Sequence, residues 1–326
     1  MLDLVHQYEK RIDNIRRELS RKSSNWPSYQ AEIDQCLTNV FRLCDEFERA
    51  NLDDEEKIYK MKCLFMKHFG EYFKIGKYSK WVCEKPLGYA GDFQIIEWIY
   101  LNMPETIGIE RCSDNYFLKT SASIATRNRK EDFKKMLLEN INTSGNKDFR
   151  IMDLACGPCR DIYELYKMLN GRTFFTTCID HDSNAIQYAK NLIDDLPQKN
   201  NIEFIQKNVV RIALSRDIKV LIPYTYDIIF STGLFDYLNH KVSVRLVKNL
   251  KSLLKDGGLL IISNYRDKFN NPSRLYMEWG GNWELIYRTE EEFFQIFKEA
   301  GFSNSDLSLK FESQKIMQYC LARNNV

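Results

Sequence analysis

The chain has 326 residues, of which 44% are hydrophobic and 13% aromatic, so it is long enough for two packed domains and is not composed like a disordered protein. Its 47 basic and 45 acidic residues leave a net charge of +2, which disfavours a nucleic-acid-binding or membrane-surface function. The sequence contains no apolar run of roughly 18 residues, which is the length that a membrane-spanning helix needs. The charged N-terminal residues are unlike a signal peptide, so a cytoplasmic location is expected.

The first half of the chain, residues 1–147, is predicted to form a helical substrate or lid domain. Apolar residues recur there every three or four positions, which is the spacing of one face of a helix. Three such stripes are Val5–Leu19, Tyr29–Cys44 and Ile58–Phe65. The pair Asp53–Asp54 is suited to cap the third helix. The pair Ser113–Asp114 predicts the start of a long helix that ends near residue 141.

The second half, residues 148–326, alternates between strands and helices and is predicted to form a parallel sheet covered by helices on both faces. The predicted strands cover residues 149–156, 173–180, 202–209, 226–233, 259–265 and 315–323. The predicted helices cover residues 160–169, 183–196, 240–255 and 289–301. Sheets of this class bind ligands at the carboxyl ends of their strands, so the residues that follow each strand form the candidate site.

These strand-end residues have the chemistry of a nucleotide site. Asp153, Ala155 and Gly157 follow the first strand, where small residues let a turn pass close to a ligand. Asp180 ends the second strand, where a carboxylate can accept hydrogen bonds from both hydroxyls of a ribose. The other candidate cofactor residues follow the second, third and fourth strands and are His181, Asn208, Val209, Ser231 and Thr232.

The segment MDLACGPCRD also has the spacing of a thiol redox pair or of half a zinc site, in Cys156 and Cys159. A zinc site needs about four ligands, whereas the sequence has no second pair of this spacing and its four histidines are isolated. The nine cysteines are scattered singly, unlike those of a secreted disulfide framework. We therefore expect inert small side chains and no bound metal, with a redox switch on cofactor binding as the open alternative.

Four motifs indicate a family when they are taken together. They are DLACGP at 153–158, CIDHDSNAI at 178–186, FSTG at 230–233 and LKDGGLLIIS at 254–263. This set resembles the class I S-adenosylmethionine (SAM)-dependent methyltransferases, which implies a Rossmann-like sheet of seven strands with an antiparallel last strand, SAM as cofactor and S-adenosylhomocysteine as product. The resemblance implies that the methionine end of SAM lies against Asp153, Ala155 and Gly157, the ribose against Asp180, and the adenine between Asn208 and Val209.

One residue departs from the pattern of this family. Cys159 stands where the family usually has a third glycine, so a tighter pocket is expected. Binding of NAD is the nearest rival, but the G-x-G-x-x-G spacing fails because Arg160 stands where the last glycine would fall. The sequence therefore favours methyl transfer over hydride transfer.

Three further stretches point to a narrower group. They are KPLGYAGD at 85–92, GLFDYL at 233–238 and NPSRLYMEWGGNWELIYRT at 271–289. They resemble bacterial carboxyl methyltransferases of 3-hydroxy fatty acids such as 3-hydroxypalmitate, which make methyl-ester quorum signals. On this resemblance we expect a small or fatty carboxylic acid as acceptor, an acceptor pocket built by the helical half, and catalytic roles for Tyr89, Tyr237 and Arg129. The expected substrate-binding residues are Asp92, Arg127, Phe235, Asn264, Arg274, Trp279, Trp283 and Tyr287. The open alternatives are a plain turn with an N-cap at Asp92, a solvated helix face for Arg127 and Arg129, and packing for the aromatic residues of 271–289.

The expected acceptor determines the expected mechanism. A carboxylate is already ionised at neutral pH, so it needs desolvation and alignment rather than a general base. An amine or phenol acceptor would need a base, for which His181, His240 and Asp236 are the candidates. Base-assisted N- or O-methylation of a small molecule and a non-catalytic SAM-binding scaffold are the open alternatives. The sequence leaves the oligomeric state open and predicts no nucleic-acid partner.

Overall fold

A computed structural model describes residues 1–146, 148–169 and 172–325. The chain forms two compact units. The helical unit comprises Met1–Ile124 and Pro272–Glu284, and the sheet unit comprises Ala125–Asn271 and Leu285–Val326. The sequence analysis instead separates the halves after residue 147. The two divisions differ because the helix that precedes the first strand packs on the sheet, a fact that its own residues do not reveal.

The helical unit begins with helices that the apolar stripes predict. Its helices are α1 (Leu2–Arg21), α2 (Trp26–Arg49), α3 (Glu55–Phe73), α4 (Lys77–Glu84), α5 (Phe93–Leu101) and α6 (Gly108–Lys119). The first stripe is buried at Val5, Ile12, Ile15 and Leu19. The Asp54 carboxylate accepts a hydrogen bond from the Lys57 amide at 2.9 Å, so the predicted cap of α3 is confirmed.

The predicted long helix that starts at Ser113–Asp114 is wrong. Thr120 separates α6 from α7 (Ser121–Thr143), and Asp114 lies within α6. The buried Asp114 carboxylate accepts hydrogen bonds from the Tyr78 amide at 3.1 Å and from the Thr106 hydroxyl at 2.7 Å. This aspartate therefore satisfies an amide in the first turn of α4 rather than starting a helix of its own.

The segment Pro272–Glu284 packs within the helical unit although it follows most of the sheet in the chain. It contains a π-helical turn, in which the Tyr276 ring lies 5.0 Å from the Phe41 ring and 4.8 Å from the Phe73 ring. A β-carbon on Gly280 would collide with the Phe73 ring, so this close approach requires glycine. Much of this aromatic-rich segment is therefore hydrophobic core.

The sheet unit contains one seven-stranded sheet with the strand order β3-β2-β1-β4-β5-β7-β6. Its strands are β1 (Arg150–Leu154), β2 (Phe175–Asp180), β3 (Ile202–Gln206), β4 (Tyr226–Ser231), β5 (Leu254–Tyr265), β6 (Leu307–Phe311) and β7 (Met317–Arg323). Its helices after α7 are α8 (Arg160–Met168), α9 (Ser183–Ile193), α10 (Val209–Leu214), α11 (His240–Lys251) and α12 (Glu290–Glu299).

The strand directions determine where this sheet can bind a ligand. β1 to β5 pair in parallel, whereas β7 runs antiparallel to both β5 and β6. The chain order reverses at β1, which has β2 on one side and β4 on the other, and ligands of such sheets bind at this switch point. The predicted Rossmann-like sheet preceded by a helical region is confirmed.

Two elements of the sheet unit were missed by the sequence analysis. β6 is an edge strand with a mostly exposed surface, so it lacks the apolar run by which the other strands were recognised. α10 is a six-residue helix that begins where the third strand was predicted to end. The predicted helix 240–255 also ends early, because β5 begins at Leu254 and includes the Asp256–Gly258 turn.

A continuous hydrophobic core holds the sheet unit together. It includes Met152, Ile229 and Ile262 from the strands and Leu246 and Phe293 from the helices, all fully buried. Burial of this apolar surface is the main favourable contribution to folding. Across the part of the chain that the structure describes, no helix has the length and apolar character needed to cross a membrane.

Candidate active site

The loop Ala155–Cys159 joins β1 to α8 and is held against the end of β2. The amides of Ala155 and Cys156 both donate to the Ile179 carbonyl, at 2.7 and 3.1 Å. Ala155, Gly157 and Cys159 have φ angles of 60°, 51° and 59°, in the left-handed region that residues with a side chain seldom adopt. A loop of small residues in this conformation lets a ligand approach the backbone closely.

Asp153 is a buried acid near the end of β1. It is 1% exposed, and neither of its carboxylate oxygens has a hydrogen-bond partner among the described residues. Burial, with the nearby charges of Asp161 and Asp180, raises the pKa of Asp153 well above its usual range. Because an unpartnered buried charge is costly, this carboxyl fits a cationic group such as the ammonium of a methionine moiety.

Asp180, by contrast, is already oriented at the end of β2. Its carboxylate accepts hydrogen bonds from the Gly157 amide at 2.9 Å and the Asp182 amide at 3.0 Å, and His181 Nδ1 lies 3.3 Å from it. Burial opposes ionisation, but these three hydrogen bonds outweigh it and lower the pKa of Asp180. The bond to Asp180 raises the pKa of His181. An ionised, fixed carboxylate fits a pair of ribose hydroxyls.

The residues expected to flank the adenine lie at the start of α10. Asn208 accepts a hydrogen bond from the Val210 amide at 2.8 Å and so caps this helix. Val209 is partly buried against the hydrophobic core of the sheet unit. Capping and packing fix both residues at the end of β3, and their contact with adenine stays a prediction.

Ser231 at the end of β4 is held by the neighbouring strand. Its fully buried hydroxyl donates to the Leu154 carbonyl at 2.7 Å and so ties β4 to β1. The neighbouring Thr232 is also buried, and its carbonyl accepts a hydrogen bond from the Ser263 hydroxyl. The Ser231 side chain therefore supports the sheet, and its contact with the cofactor stays a prediction.

A second buried carboxylate, Asp236, follows β4 and is fully engaged. Its Oδ1 accepts hydrogen bonds from the Asn264 side chain at 2.9 Å and from the Tyr265 amide at 2.7 Å. Burial raises the pKa of Asp236 to about 6, although the positive charge of Arg129, these hydrogen bonds and Arg288 oppose the shift. Arg288 in turn donates to the Asn264 side-chain oxygen.

This network involves two predicted substrate residues. Asn264 is fully buried, and its side-chain amide also donates to the carbonyls of Tyr265 and Ile286. Phe235 is fully buried in the hydrophobic core, and its carbonyl accepts a hydrogen bond from Arg288 at 2.8 Å. Internal contacts hold both residues at the ends of β4 and β5, and their contact with a substrate stays a prediction.

Arg129, a predicted catalytic residue, belongs to this same end of the sheet. It is 4% exposed, and a β-carbon placed on Gly233 would lie 3.4 Å from its Nη2. Glycine at position 233 therefore leaves the guanidinium directly beside the loop after β4. The charge of Arg129 also lowers the pKa of Asp236, so a buried cation and a buried carboxylate share this corner.

The contacts of three other predicted site residues in the sheet unit do not assign them a role. Arg127 is half-buried, and burial lowers its pKa. Tyr237 is 43% exposed, at the end of a short helical turn after β4. The Tyr287 ring packs edge-on against the ring of Tyr265, with centroids 6.0 Å apart. Their catalytic and substrate roles stay predictions.

Asp92 and Tyr89 lie in the loop that precedes α5 in the helical unit. The buried Asp92 carboxylate accepts from the amides of Gln94 and Ile95, both at 3.0 Å, and from Trp81 Nε1 at 2.8 Å. It is therefore an N-cap that also fixes the Trp81 indole. Tyr89 is half-buried in the same loop.

The predicted substrate residues of the 271–289 run are mainly structural. Arg274 is buried and forms ion pairs with Glu48 at 2.9 Å and with Glu278 at 2.7 Å. The Trp279 indole donates to the Glu48 carboxylate at 3.3 Å and its ring lies 5.9 Å from that of Phe65. The contact of Arg274 and Trp279 with the substrate stays a prediction. Trp283 is buried beside them in the same segment.

Two functional candidates were missed by the sequence analysis although both lie within its motifs. Asp161, in the first turn of α8, is buried, and burial raises its pKa to about 6. Cys178 pairs with Asp153 in the register of β1 and β2. Asp161 is the last residue of the segment MDLACGPCRD, and an acid next to a turn of small residues was the sequence signal that could have revealed it. No sequence signal revealed Cys178, because its position beside Asp153 depends on the pairing of β1 with β2.

Two solved structures with TM-scores above 0.5 show the same fold. A possible exported protein from Bordetella parapertussis has a TM-score of 0.62 at 18% identity, over 75% of this chain and 85% of its own. The citrinin polyketide synthase CMeT domain has a TM-score of 0.51 at 14% identity, over 71% of this chain and 59% of its own. Magnesium protoporphyrin IX methyltransferase (ChlM) from Synechocystis PCC 6803, crystallised with bound S-adenosylhomocysteine, gives 0.47 at 14% identity, over 63% and 87%.

Comparison with curated proteins gives no match. A methyltransferase domain family, in contrast, matches residues 145–319, which is more than half of the chain. The matched span contains the small-residue loop, the unpartnered Asp153 and the oriented Asp180, so the residues at the switch point of the sheet fit SAM. The chain therefore belongs to the methyltransferase domain family, as a class I enzyme that uses SAM as its cofactor.

Proposed function

We propose that this enzyme methylates the carboxylate of a small or fatty acid and releases a methyl ester. The observation that carries the proposal is the buried guanidinium of Arg129 beside Gly233 at the end of β4. A buried cation attracts a carboxylate and can grip it with two hydrogen bonds, whereas it repels a protonated amine. A carboxylic acid is therefore the acceptor that best fits this corner.

The residues assigned to the cofactor lie at the neighbouring strands. Asp153 would hold the amine of the methionine moiety, the loop Ala155–Cys159 would lie along it, and Asp180 would accept the ribose hydroxyls. SAM supplies, when bound, a methyl group made electrophilic by its sulfonium. These residues bind and orient; none of them needs to move a proton.

The protonation chemistry also supports a carboxylate acceptor. A carboxylate is ionised near neutral pH, so the enzyme needs only to desolvate and align one oxygen. His240, a candidate base, is partly exposed and 3.1 Å from Glu299 of α12, and His181 is bonded to Asp180. The resemblance of the GYAGD and GLFDYL stretches to fatty-acid carboxyl methyltransferases supports the same acceptor class. Tyr89 and Tyr237 are the proposed additional hydrogen-bond donors.

Base-assisted methylation of a phenol or amine is the second candidate, and Asp236 is the observation that favours it. A carboxyl whose pKa is raised to about 6 could accept a proton near neutral pH. Its Oδ1, however, already accepts two hydrogen bonds from Asn264 and Tyr265. We therefore favour Asp236 as the group that fixes the end of β5 over Asp236 as a catalytic base.

Transfer of labelled methyl groups from SAM to a panel of carboxylic acids, with 3-hydroxy fatty acids included, tests the proposal. The product should release its label as methanol in mild alkali, because methyl esters hydrolyse and methylamines or aryl ethers do not. Arg129→Ala should lower kcat/KM about 10- to 100-fold, the loss of a charged hydrogen bond, with unchanged S-adenosylhomocysteine affinity. Arg150→Ala, at the other end of β1, is the matched control and should have no effect. An alkali-stable product would overturn the proposal.

A further inference from the structure

Two thiols lie close to the unpartnered carboxylate of Asp153. Cys178 of β2 pairs with Asp153 in the parallel register of β1 and β2. Cys159 lies at the end of the loop after β1, and its Sγ is 3.4 Å from that of Cys178. Cys156 lies three residues before Cys159 in the same loop. All three cysteines are buried in the reduced state.

The geometry of this cluster is close to that of a metal site. One ligand atom each from Asp153, Cys159 and Cys178 lies within 4.8 Å of the other two. A tetrahedral zinc ion with Zn–S bonds of about 2.3 Å holds its sulfur ligands about 3.8 Å apart. The separation of 3.4 Å between the two sulfur atoms is therefore near the required value, and small side-chain rotations would complete the geometry.

The donor atoms select the kind of cation. Sulfur donors prefer Zn²⁺, Cd²⁺ or Cu⁺ over the oxygen-seeking Mg²⁺ and Ca²⁺. Both carboxylate oxygens of Asp153 lack a partner among the described residues, so the site has a second, independent need for positive charge. We propose that Asp153, Cys159 and Cys178 form an inhibitory binding site for a thiophilic divalent cation.

Inhibition follows from the shared use of Asp153. A carboxylate that coordinates a metal ion cannot also hold the amine of the cofactor, so metal and cofactor exclude each other. This step rests on the proposed cofactor role of Asp153, whereas metal binding itself does not. On binding, each thiol and any protonated carboxyl releases its proton to solvent, no electron is transferred, and the affinity rises with pH. The fold does not depend on the metal, because the sheet forms its core without it.

Cadmium titration of the full-length, reduced chain in a Cys63→Ser background tests the site, since Cys63 is an exposed thiol that would bind metal on its own. Cadmium–thiolate absorbance in the ultraviolet and equilibrium dialysis should both report one Cd²⁺ per chain. Cys178→Ser should weaken binding at least about tenfold, in line with the loss of a ligand. Cys320→Ser, at a buried thiol of β7 outside the cluster, is the matched control and should bind Cd²⁺ unchanged.

The competition is measured separately, by calorimetric titration of S-adenosylhomocysteine at increasing Cd²⁺. The measured Kd should rise in proportion to free Cd²⁺ in the Cys63→Ser chain and stay constant in the chain that also carries Cys178→Ser. If the latter variant does not fold, Cys178→Ala replaces it. Failure to bind one Cd²⁺, or equal binding after loss of Cys178, would overturn the site, and simultaneous binding of metal and cofactor would overturn the exclusion. Cofactor affinity without metal reports on the methyltransferase site independently.

Discussion

Asp153 and Asp236 are buried carboxylates at the carboxyl ends of two neighbouring strands, β1 and β4, yet their surroundings differ. Asp236 accepts hydrogen bonds from Asn264 and the Tyr265 amide, with Arg129 and Arg288 as nearby positive charges. Asp153 has no hydrogen-bond partner among the described residues, and its nearby charges are negative. Burial alone therefore does not indicate a ligand site in this protein. A buried carboxylate without hydrogen-bond partners among the described residues indicates one.

This difference assigns separate tasks to the two strand ends. The carboxylate at the end of β4 already has internal partners, so it contributes to the stability of the fold. The end of β1 and β2 leaves a costly buried group that a cationic ligand would satisfy. Functional sites commonly lower the stability of the fold in order to bind a ligand. Substitutions at the two acids should therefore have opposite consequences.

The largest effect is expected for Asp236→Ala. Removal of this carboxylate leaves the Asn264 amide and the Tyr265 amide without their acceptor and two arginines without a counter-charge. Breaking a buried charged network costs about 3–5 kcal/mol, so urea unfolding should show a loss of that size. Asp153→Ala is the matched comparison and should lose little or gain stability. A smaller loss at Asp236 than at Asp153 would contradict the distinction between the two ends.

The Asp236 network also shows what the sequence could and could not predict. Apolar runs predicted six of the strands, and the order of strand-end residues predicted Asp153 and Asp180, because both features are local in the chain. The partners of Asp236 are 28 and 29 residues away along the chain. Register and loop packing determine such contacts, so no local pattern revealed the internal contacts of Asn264.

The internal contacts of the 271–289 run were not predictable for a related reason. Arg274 and Trp279 were expected to contact the substrate, with packing as the alternative for the aromatic residues. Their partners, Glu48 and Phe65, lie more than two hundred residues earlier in the chain. A hydrophobic core and a binding wall require the same residue types, and only the contacts separate them.

Buried acids at both strand ends make the stability of the fold depend on pH. Burial raises the pKa of Asp161 to about 6, with the Ile162 amide and Lys130 opposing the shift and Glu164 reinforcing it. The folded state therefore holds this proton at pH values where the unfolded chain has lost it. Stability from this group is fully present below about pH 4 and falls as the pH rises to about 6, by up to about 3 kcal/mol.

Asp161→Asn should remove this part of the decline, as measured by urea unfolding at several pH values between 4 and 7. Asp236 contributes a decline of the same sign, since its pKa is also raised to about 6, so the variant should retain a reduced slope. Asp182→Asn, at the half-buried N-cap of α9, is the control and should leave the slope unchanged. An unaltered slope in Asp161→Asn would show that the buried acid at this end titrates normally.

Asp153→Asn should weaken cofactor binding while the fold stays intact. The amide keeps the shape of the carboxyl but loses its charge, so S-adenosylhomocysteine affinity should fall by about 1.5–3 kcal/mol, or roughly 10- to 150-fold. Isothermal calorimetry measures this loss. Asp227→Asn provides the control, because Asp227 lies at the start of β4 and pairs with Lys255 at 2.6 Å. Equal affinities for both variants would remove Asp153 from the cofactor site.

The smallest effect is expected for Ser231→Ala, which tests the rule that an internally satisfied group serves the fold. The Ser231 hydroxyl donates to the Leu154 carbonyl, so its removal should cost about 0.5–1.5 kcal/mol of stability, the usual net value of one hydrogen bond. The affinity for S-adenosylhomocysteine should stay within about twofold, because the hydroxyl is committed to the neighbouring strand. Thermal unfolding and calorimetry on the same preparation measure both quantities. A tenfold loss of affinity at unchanged stability would place Ser231 in the cofactor site, and it would show that burial with a partner does not exclude a group from binding.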